Sequence, residues 1–507
     1  MRTCNTLLSL CCLNAIVLSQ VVSLPKGAPQ PEDVPETFQL TVKPQQTPVP
    51  SLRYRLHTPP LERKGGNAVT MYNRALDELA LLPKQDIDDL CGLPPDQLPQ
   101  EQVAQVLSAY SSILEQIELG STCDIVQWPV PEPGTTGFLV TNYSGFRYLA
   151  RLFSLKARLA IAQGDYDEAI AAIRTCLTLS RHVAMHTAIG SLAAGTMNNM
   201  MLDDIQYLIA SGGPNMYWAL AQLETPLIDV RQAIENEQRM LMGNNPHLQK
   251  ALVEPIGPDD GLKVLEAAVE MLFSGEPETR RPPGFGKATT AGLVVLNFGN
   301  AKRILVERGR SVDEVDAMSP AQAVATFLVE DYIYWRDELL KWCNLPWRLA
   351  HERLRQSQQD YDNYMIKHRI INPFLILMMS SQYRIQLCHI RQERVKAALQ
   401  TIESLRDHTA RHGAPPKSLD DLALPSPVDP VTGKLFEYEV TDEAITLLGP
   451  APEGEDQSSG LYYVVRFAPL DTETRQSEPD KTVAAGPEIS GPWKGIGPLV
   501  HDEVFTI

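Results

Sequence analysis

Two histidine pairs, His182 with His186 and His408 with His412, have the i,i+4 spacing that places both rings on one helix face, where zinc can be chelated. Neither pair has the adjacent Glu of a hydrolytic zinc motif. His351-Glu352 has that Glu, but Arg355 stands where the second His would be needed. Glu235 lies four residues after Arg231 and four before Arg239, which describes a salt-bridged helix face rather than an acid–base pair. Gly284 to Thr289 has the outline of a phosphate loop. Arg281 replaces its first Gly, however, and Ala288 stands where a hydroxyl would hold magnesium, so nucleotide binding is not assigned. Tyr332, Tyr334, Trp335 and Trp342 are interleaved with Asp331, Arg336, Asp337, Glu338 and Lys341. Such rings can stack on sugars or cofactors, and they more often anchor one helix to another. Asn142-Tyr143-Ser144 matches the glycosylation acceptor triplet. No nucleophile elbow, paired-Cys zinc ribbon or dinucleotide fingerprint occurs in the chain. No catalytic, cofactor-binding or metal-binding residue is therefore assigned, and no cofactor is implied.

Composition narrows the classes further. The 507 residues are 44% hydrophobic, enough for a large buried core. The 62 acidic against 45 basic residues give a net charge of -17, with no concentrated basic block, which disfavours nucleic acid and anionic membrane as partners. The start reads as an export signal: Arg2, an apolar run from Leu7 to Leu18, and a small-residue cleavage site at Val21-Val22-Ser23. Cleavage would begin the mature chain near Leu24; an uncleaved anchor is the alternative, although the run is shorter than the roughly 20 residues a span needs. Leu10 before Cys11 is a poor setting for lipid attachment. Removal of the leader leaves Cys91, Cys123, Cys176, Cys343 and Cys388, an odd and scattered set that makes no disulfide framework. Cys91 and Cys123 flank one helix and are the one pair considered for bridging, the alternative being two separate buried thiols. Cys176 and Cys388 lie on helix stripes as small core residues.

The elements that must position these residues are mostly helical. Residues 24–66 read as an extended linker in which Phe38 to Val42 and Leu52 to Leu56 could pair as strands. A helical domain spans 67–274. It opens with Asn67 as a cap before Met71, Ala75, Leu76 and Leu79, followed by one amphipathic helix from Gln100 to Leu119. At its centre, Phe146, Leu149, Phe153, Ala157 and Ala160 form one stripe and Tyr166, Ala169, Ile170, Ile173 and Leu177 a second. Gly164 and the capping Asp165, with Glu168 three residues on, form the hairpin junction between them. Thr187 to Ile209 is apolar nearly all round, with Gly190, Ala193, Ala194 and Gly195 for close packing and Met197, Met200 and Met201 as core filler. Helices at Tyr217 to Leu223, Ile228 to Met242 and Gly261 to Phe273 complete this domain. A loop at 275–287 leads to a helical continuation over 288–372, which includes Pro320 to Cys343 capped by Ser319. Residues 373–470 form a long helix to His412, with Arg406, His408, Arg411 and His412 at its negative end, and then a small antiparallel sheet from Lys434 to Val440, Ala444 to Leu448 and Leu461 to Phe467. Residues 471–507 read as a tail. The fold class is mainly α, an irregular helical-hairpin body with that small C-terminal sheet.

The Phe153 to Leu177 hairpin resembles a tetratricopeptide unit, with Ala157, Gly164, Ala169, Ile173 and Cys176 at packing positions, but with Ala160 in place of the usual aromatic and Arg181 in place of the terminal Pro. Taken whole, the chain resembles a group of exported planctomycete proteins. The carrying stretches are Leu52 to Leu56 with Gly66-Asn67-Ala68, Tyr217 to Leu220 with Pro226 to Asp229, Trp335 to Glu338 with Lys341-Trp342, and Asp429 to Lys434. That resemblance implies export and supplies no activity. The long last helix, Leu419 to Leu422 and the Asp-Pro turn are similar to the globular end of type II secretion pseudopilins. No pilin leader precedes the helix, so filament assembly does not follow. The function expected from all this is a non-enzymatic, exported helical scaffold that binds another protein in the periplasm or cell envelope. The alternative is a hydrolase or carbohydrate-acting protein with a site assembled from dispersed residues.

Overall fold

A computed structural model describes residues 34–83, 85–129, 142–243, 246–273, 285–368, 372–378 and 382–468. The expected export signal, most of the 275–287 loop and the tail from 471 lie outside these residues. Strand β1 (Glu36–Val42) and the short β2 (Lys64–Asn67) precede α1 (Ala68–Leu81), α2 (Asp88–Cys91), α3 (Gln100–Ala109), α4 (Ser111–Ser121) and β3 (Cys123–Ile125). The central helices are α5 (Tyr143–Gln163), α6 (Tyr166–Ala184), α7 (Ala188–Ala210) and α8 (Tyr217–Ala221). A second group comprises α9 (Val230–Gly243), α10 (Pro246–Val253), α11 (Pro258–Phe273), α12 (Phe285–Glu307), α13 (Val312–Ala317), α14 (Pro320–Leu340), α15 (Trp347–His368) and α16 (Pro373–Met378). Last come α17 (Gln382–His412) and strands β4 (Glu437–Val440), β5 (Ile445–Gly449) and β6 (Leu461–Phe467). The fold is mainly helical with one small four-stranded sheet and a two-stranded β2–β3 pair.

The hairpin forms where glycine permits it. Gly164 takes φ +75°, a left-handed conformation that an L side chain resists, and so terminates α5. Asp165 Oδ1 then accepts the Glu168 amide at 3.1 Å to start α6. Glu168 does not complete a reciprocal box; its carboxylate lies 2.8 Å from Lys156 on α5 and staples the two arms together. α7 crosses both arms, and Met197 and Met201 are buried in its core face. Its glycines hold that contact close. A Cβ on Gly190 would stand 2.6 Å from the Val183 carbonyl, and one on Gly195 would stand 3.2 Å from Gln392 Nε2 of α17.

Several local expectations give way to tertiary contacts. The helix expected over Gln100 to Leu119 breaks at Tyr110, where φ −111° and ψ 14° leave the helical region. The Tyr110 hydroxyl donates to the Pro83 carbonyl at 3.2 Å and receives Tyr148 Oη at 3.0 Å, bonds that tie the break to α5. Phe38 to Val42 is a strand, but its partner is β6, in parallel register from Glu36 with Leu461 to Val42 with Phe467, while Leu52 to Leu56 forms no strand. The sheet is therefore mixed, in the order β1-β6-β5-β4, and its inner residues Val42, Ile445, Leu447, Tyr463 and Val465 are buried in the core shared with α7 and α17. The long helix expected to run from 373 appears as α16 and α17, with residues 379–381 between them outside those described. A second core lies among α9 to α16, built on Phe327, Leu328, Tyr332 and Phe374. Each such fully buried side chain contributes roughly 1.5–3 kcal/mol of transfer free energy.

Candidate functional site

A cleft of about 290 Å³ opens beside the β2–β3 pair, against the C-terminal end of α6 and the segment leading into α9. Arg63, Cys123 and Asp124 come from the strand region, Arg181, His182 and Met185 from α6, and Glu224, Leu227, Ile228 and Asp229 from the later segment. The acids in the cleft are engaged. Asp229 accepts Arg231 in a fork, with Nε and Nη2 at 2.9 and 2.7 Å, and these bonds hold its carboxyl below the usual range. Asp124 Oδ1 accepts the Gly66 amide at 3.1 Å, and Glu224 meets Arg181 Nη1 at 2.6 Å. The Arg63 side chain, by contrast, has no hydrogen-bond or ion-pair partner among the described residues.

The histidine pair expected on this helix is brought to the cleft only in part. His182 lines it, while its Nδ1 lies 2.8 Å from Tyr72 Oη on α1. His186 instead turns into the core, stacks on Trp128 at 4.4 Å between centroids, and places Nδ1 2.7 Å from Tyr143 Oη. Burial pulls the His182 pKa down to about 3, assisted by Arg181 and Arg63, and pulls His186 down to about 4. Both rings are thus neutral near pH 7. His408 and His412 stack on each other at 4.2 Å at the exposed end of α17, with His412 Nδ1 directed at the His408 carbonyl. Among the described residues no group of three His, Cys, Asp or Glu is arranged to hold a metal ion.

The cysteines carry free thiols, Cys91 and Cys123 included. Burial pushes Cys123 upward, with Asp124 adding to the effect, so this cleft residue is held as the thiol rather than as a nucleophilic thiolate. Glu235 is exposed, and Arg231 bonds Asp229 instead of it, which replaces the i,i+4 pairing expected there. The neighbouring Glu237 is buried and accepts the Ala188 amide at 3.2 Å at the start of α7. Tyr332 and Trp335 of α14 point into the second core, where Trp335 packs against Tyr361 and Tyr364. Beside them Asp331 is fully buried and receives Arg308 at 2.7 Å, together with the Tyr364 hydroxyl. These aromatics anchor helices. Asn142, in the glycosylation triplet, uses its side chain to accept the Gly145 amide at 2.9 Å as the cap of α5.

In comparisons with known proteins, no family model, no curated protein and no solved structure matches the chain. Its chemistry is therefore read from the cleft itself. The cleft supplies guanidinium donors, carboxylates that already have partners, an apolar wall from Val126, Ala184, Met185, Leu227 and Ile228, and a neutral imidazole behind them. Spacing along the sequence could not assemble it. Arg63, Cys123, Arg181 and Glu224 come from four segments, and the one visible signal, the His182 and His186 pair, marks only its rear wall.

Proposed function

We propose that this chain is an exported, non-enzymatic helical scaffold that binds another protein in the cell envelope. The observation that carries the reading is how the reactive side chains are used. Tyr72 and Tyr143 occupy the Nδ1 atoms of His182 and His186, Arg308 and Tyr364 occupy Asp331, and Arg394 occupies Asp429. Groups of the types that perform catalysis are spent on fastening helices to one another, which supports a rigid body presenting its outer faces to a partner. An export signal at the start of the sequence and the hairpin about Gly164 fit the same role.

The test is capture from a native envelope extract with the full chain as bait, followed by titration of the purified partner. The reading expects a stoichiometric protein partner whose affinity is unchanged by Glu235→Gln, an exposed substitution. It is overturned if no partner is recovered and the purified chain turns over an ester, peptide or glycoside, with Cys123→Ala abolishing turnover at an unchanged unfolding temperature.

A further inference from the structure

The cleft beside β2 and β3 holds one guanidinium that the fold leaves unpaired. The exposed Arg63 side chain forms no hydrogen bond or ion pair among the described residues, and Arg181 spends one guanidinium nitrogen on Glu224. The remaining acids at the cleft, Asp124 and Asp229, are already bonded to the Gly66 amide and to Arg231. On the other side lie apolar side chains, with Ile228 and Leu227 buried in the wall. Two arginines and three carboxylates line this concave surface, and because each carboxylate is already bonded, the Arg63 guanidinium is the charge left without a partner beside the hydrophobic wall.

We infer that this cleft binds one carboxylate group, its two oxygens received by Arg63 and Arg181, with the aliphatic body of the ligand lying against Met185, Leu227 and Ile228. The planar guanidinium fork matches a carboxylate in shape and charge. A dianion fits less well, because Asp124, Glu224 and Asp229 line the same cleft and would repel a second negative charge. The volume of about 290 Å³ suits a short chain rather than a large ring system. His57 reports on the same arginines. Its Nδ1 is buried without a hydrogen-bond partner among the described residues, and burial first, then Arg55, Arg181 and Arg63, lower its pKa. An anion seated between the arginines would weaken that effect and raise the His57 pKa.

Two sources offer this chemistry, a free aliphatic acid and the C-terminal carboxylate of a peptide, and the experiment separates them. Hexanoate and hexanamide, and one Leu-terminated tetrapeptide as free acid and as amide, are titrated into the full chain by calorimetry, and the His57 ring is followed by NMR. Saturable binding of an acid is expected, with the matching amide weaker by about tenfold or more, the loss that follows from removing a charge-assisted hydrogen bond. Tighter binding of the peptide acid assigns a chain end, and tighter binding of hexanoate assigns a free acid. Arg63→Gln should weaken the acid by a similar factor. Because the Arg63 side chain makes no hydrogen bond or ion pair among the described residues, that variant should keep its fold, which thermal unfolding verifies, whereas Arg181→Gln also removes the Glu224 pair. The inference is overturned if neither acid saturates, if acid and amide bind alike, if Arg63→Gln leaves binding unchanged, or if inorganic phosphate binds more tightly than either acid.

Discussion

α7 and α17 pack against each other at the centre of the molecule by opposite means. α7 is a helix of small and apolar residues: Ala193, Ala194, Met197, Met201, Ile205 and Leu208 are buried, and its glycines let neighbours approach. α17 is equally enclosed yet buries Gln392, Glu393, Arg394, Lys396, Glu403 and Arg406. The charges on α17 hold the rest of the chain in place. Arg394 forks onto Asp429 at 3.0 and 2.8 Å and also reaches the Pro450 and Ser459 carbonyls. Arg406, fully buried, pairs with Glu403 and donates to the carbonyls of Lys43 and Gly213 at 2.9 Å. Lys396 bonds the Glu224 carbonyl and Thr225, and Glu393 accepts the Leu227 amide. One helix thus fastens five loops through side chains, while the other supplies mainly apolar area, its buried Asp204 pairing with Arg158 of α5 at 2.7 Å. Burial of charge on α17 is tolerable because each ion has both an opposite charge or an equivalent dipole and satisfied hydrogen bonds.

If that contrast is right, the largest loss should come from α17. Arg406→Ala leaves Glu403 charged and buried and two carbonyls unpaired, and should cost on the order of 3–5 kcal/mol in urea unfolding. A cost near that of a surface substitution would show that Arg406 does not hold Lys43 and Gly213 in place. Gly195→Leu attacks the apolar side of the contact. Its added atoms meet Gln392 and Cys388, and the overpacking should destabilise by about 1–3 kcal/mol in thermal unfolding.

A smaller, pH-dependent effect sharpens the comparison where α9 meets α7. Burial raises Glu237 to about 7, so as pH rises from about 4.5 to 7 the unfolded chain releases this proton before the native chain does. Native stability from this group is present below pH 4.5 and is lost across that window. Glu237→Gln removes the loss, and its stability relative to the parent chain should rise by on the order of 2 kcal/mol between pH 4.5 and 7.5. A pH-independent difference would contradict the burial of that carboxyl. The buried histidines act in the opposite sense. His182, His186 and His389, held neutral by burial, stabilise above pH 6.5 and cease to as pH falls through about 4 and 3. The smallest effect expected is at the hairpin, where Gly164→Ala should cost about 1 kcal/mol through its left-handed φ alone, since nothing lies within 4 Å of an added Cβ.

The same contrast explains what the sequence made legible. The α5–α6 hairpin, the enclosure of α7, and the caps at Asn67, Asp165 and Ser319 were readable because each depends on nearby residues along the chain. Val395, Ala398, Ile402, Leu405 and Thr409 of α17 keep the same three- and four-residue spacing and are all buried. The burial of Arg406 was not readable. Its position near a helix C-terminus suits an exposed cation interacting with the dipole, and only its contact with Lys43, 363 residues away, shows that it is interior. β1 was hidden likewise, because a parallel partner more than four hundred residues on leaves no local turn signal. The cleft combines both difficulties, since its two arginines are separated in sequence and neither belongs to a recognisable motif.

Whether the charges on α17 act as fastenings is decided by a double-mutant cycle across Arg394 and Asp429. Urea unfolding is measured for Arg394→Met, Asp429→Leu and the double variant. The prediction is that each single change is strongly destabilising and that the double variant loses less than their sum by at least about 1.5 kcal/mol, because removing both ions spares either one from being buried alone. Single effects that add to within about 0.5 kcal/mol would contradict it.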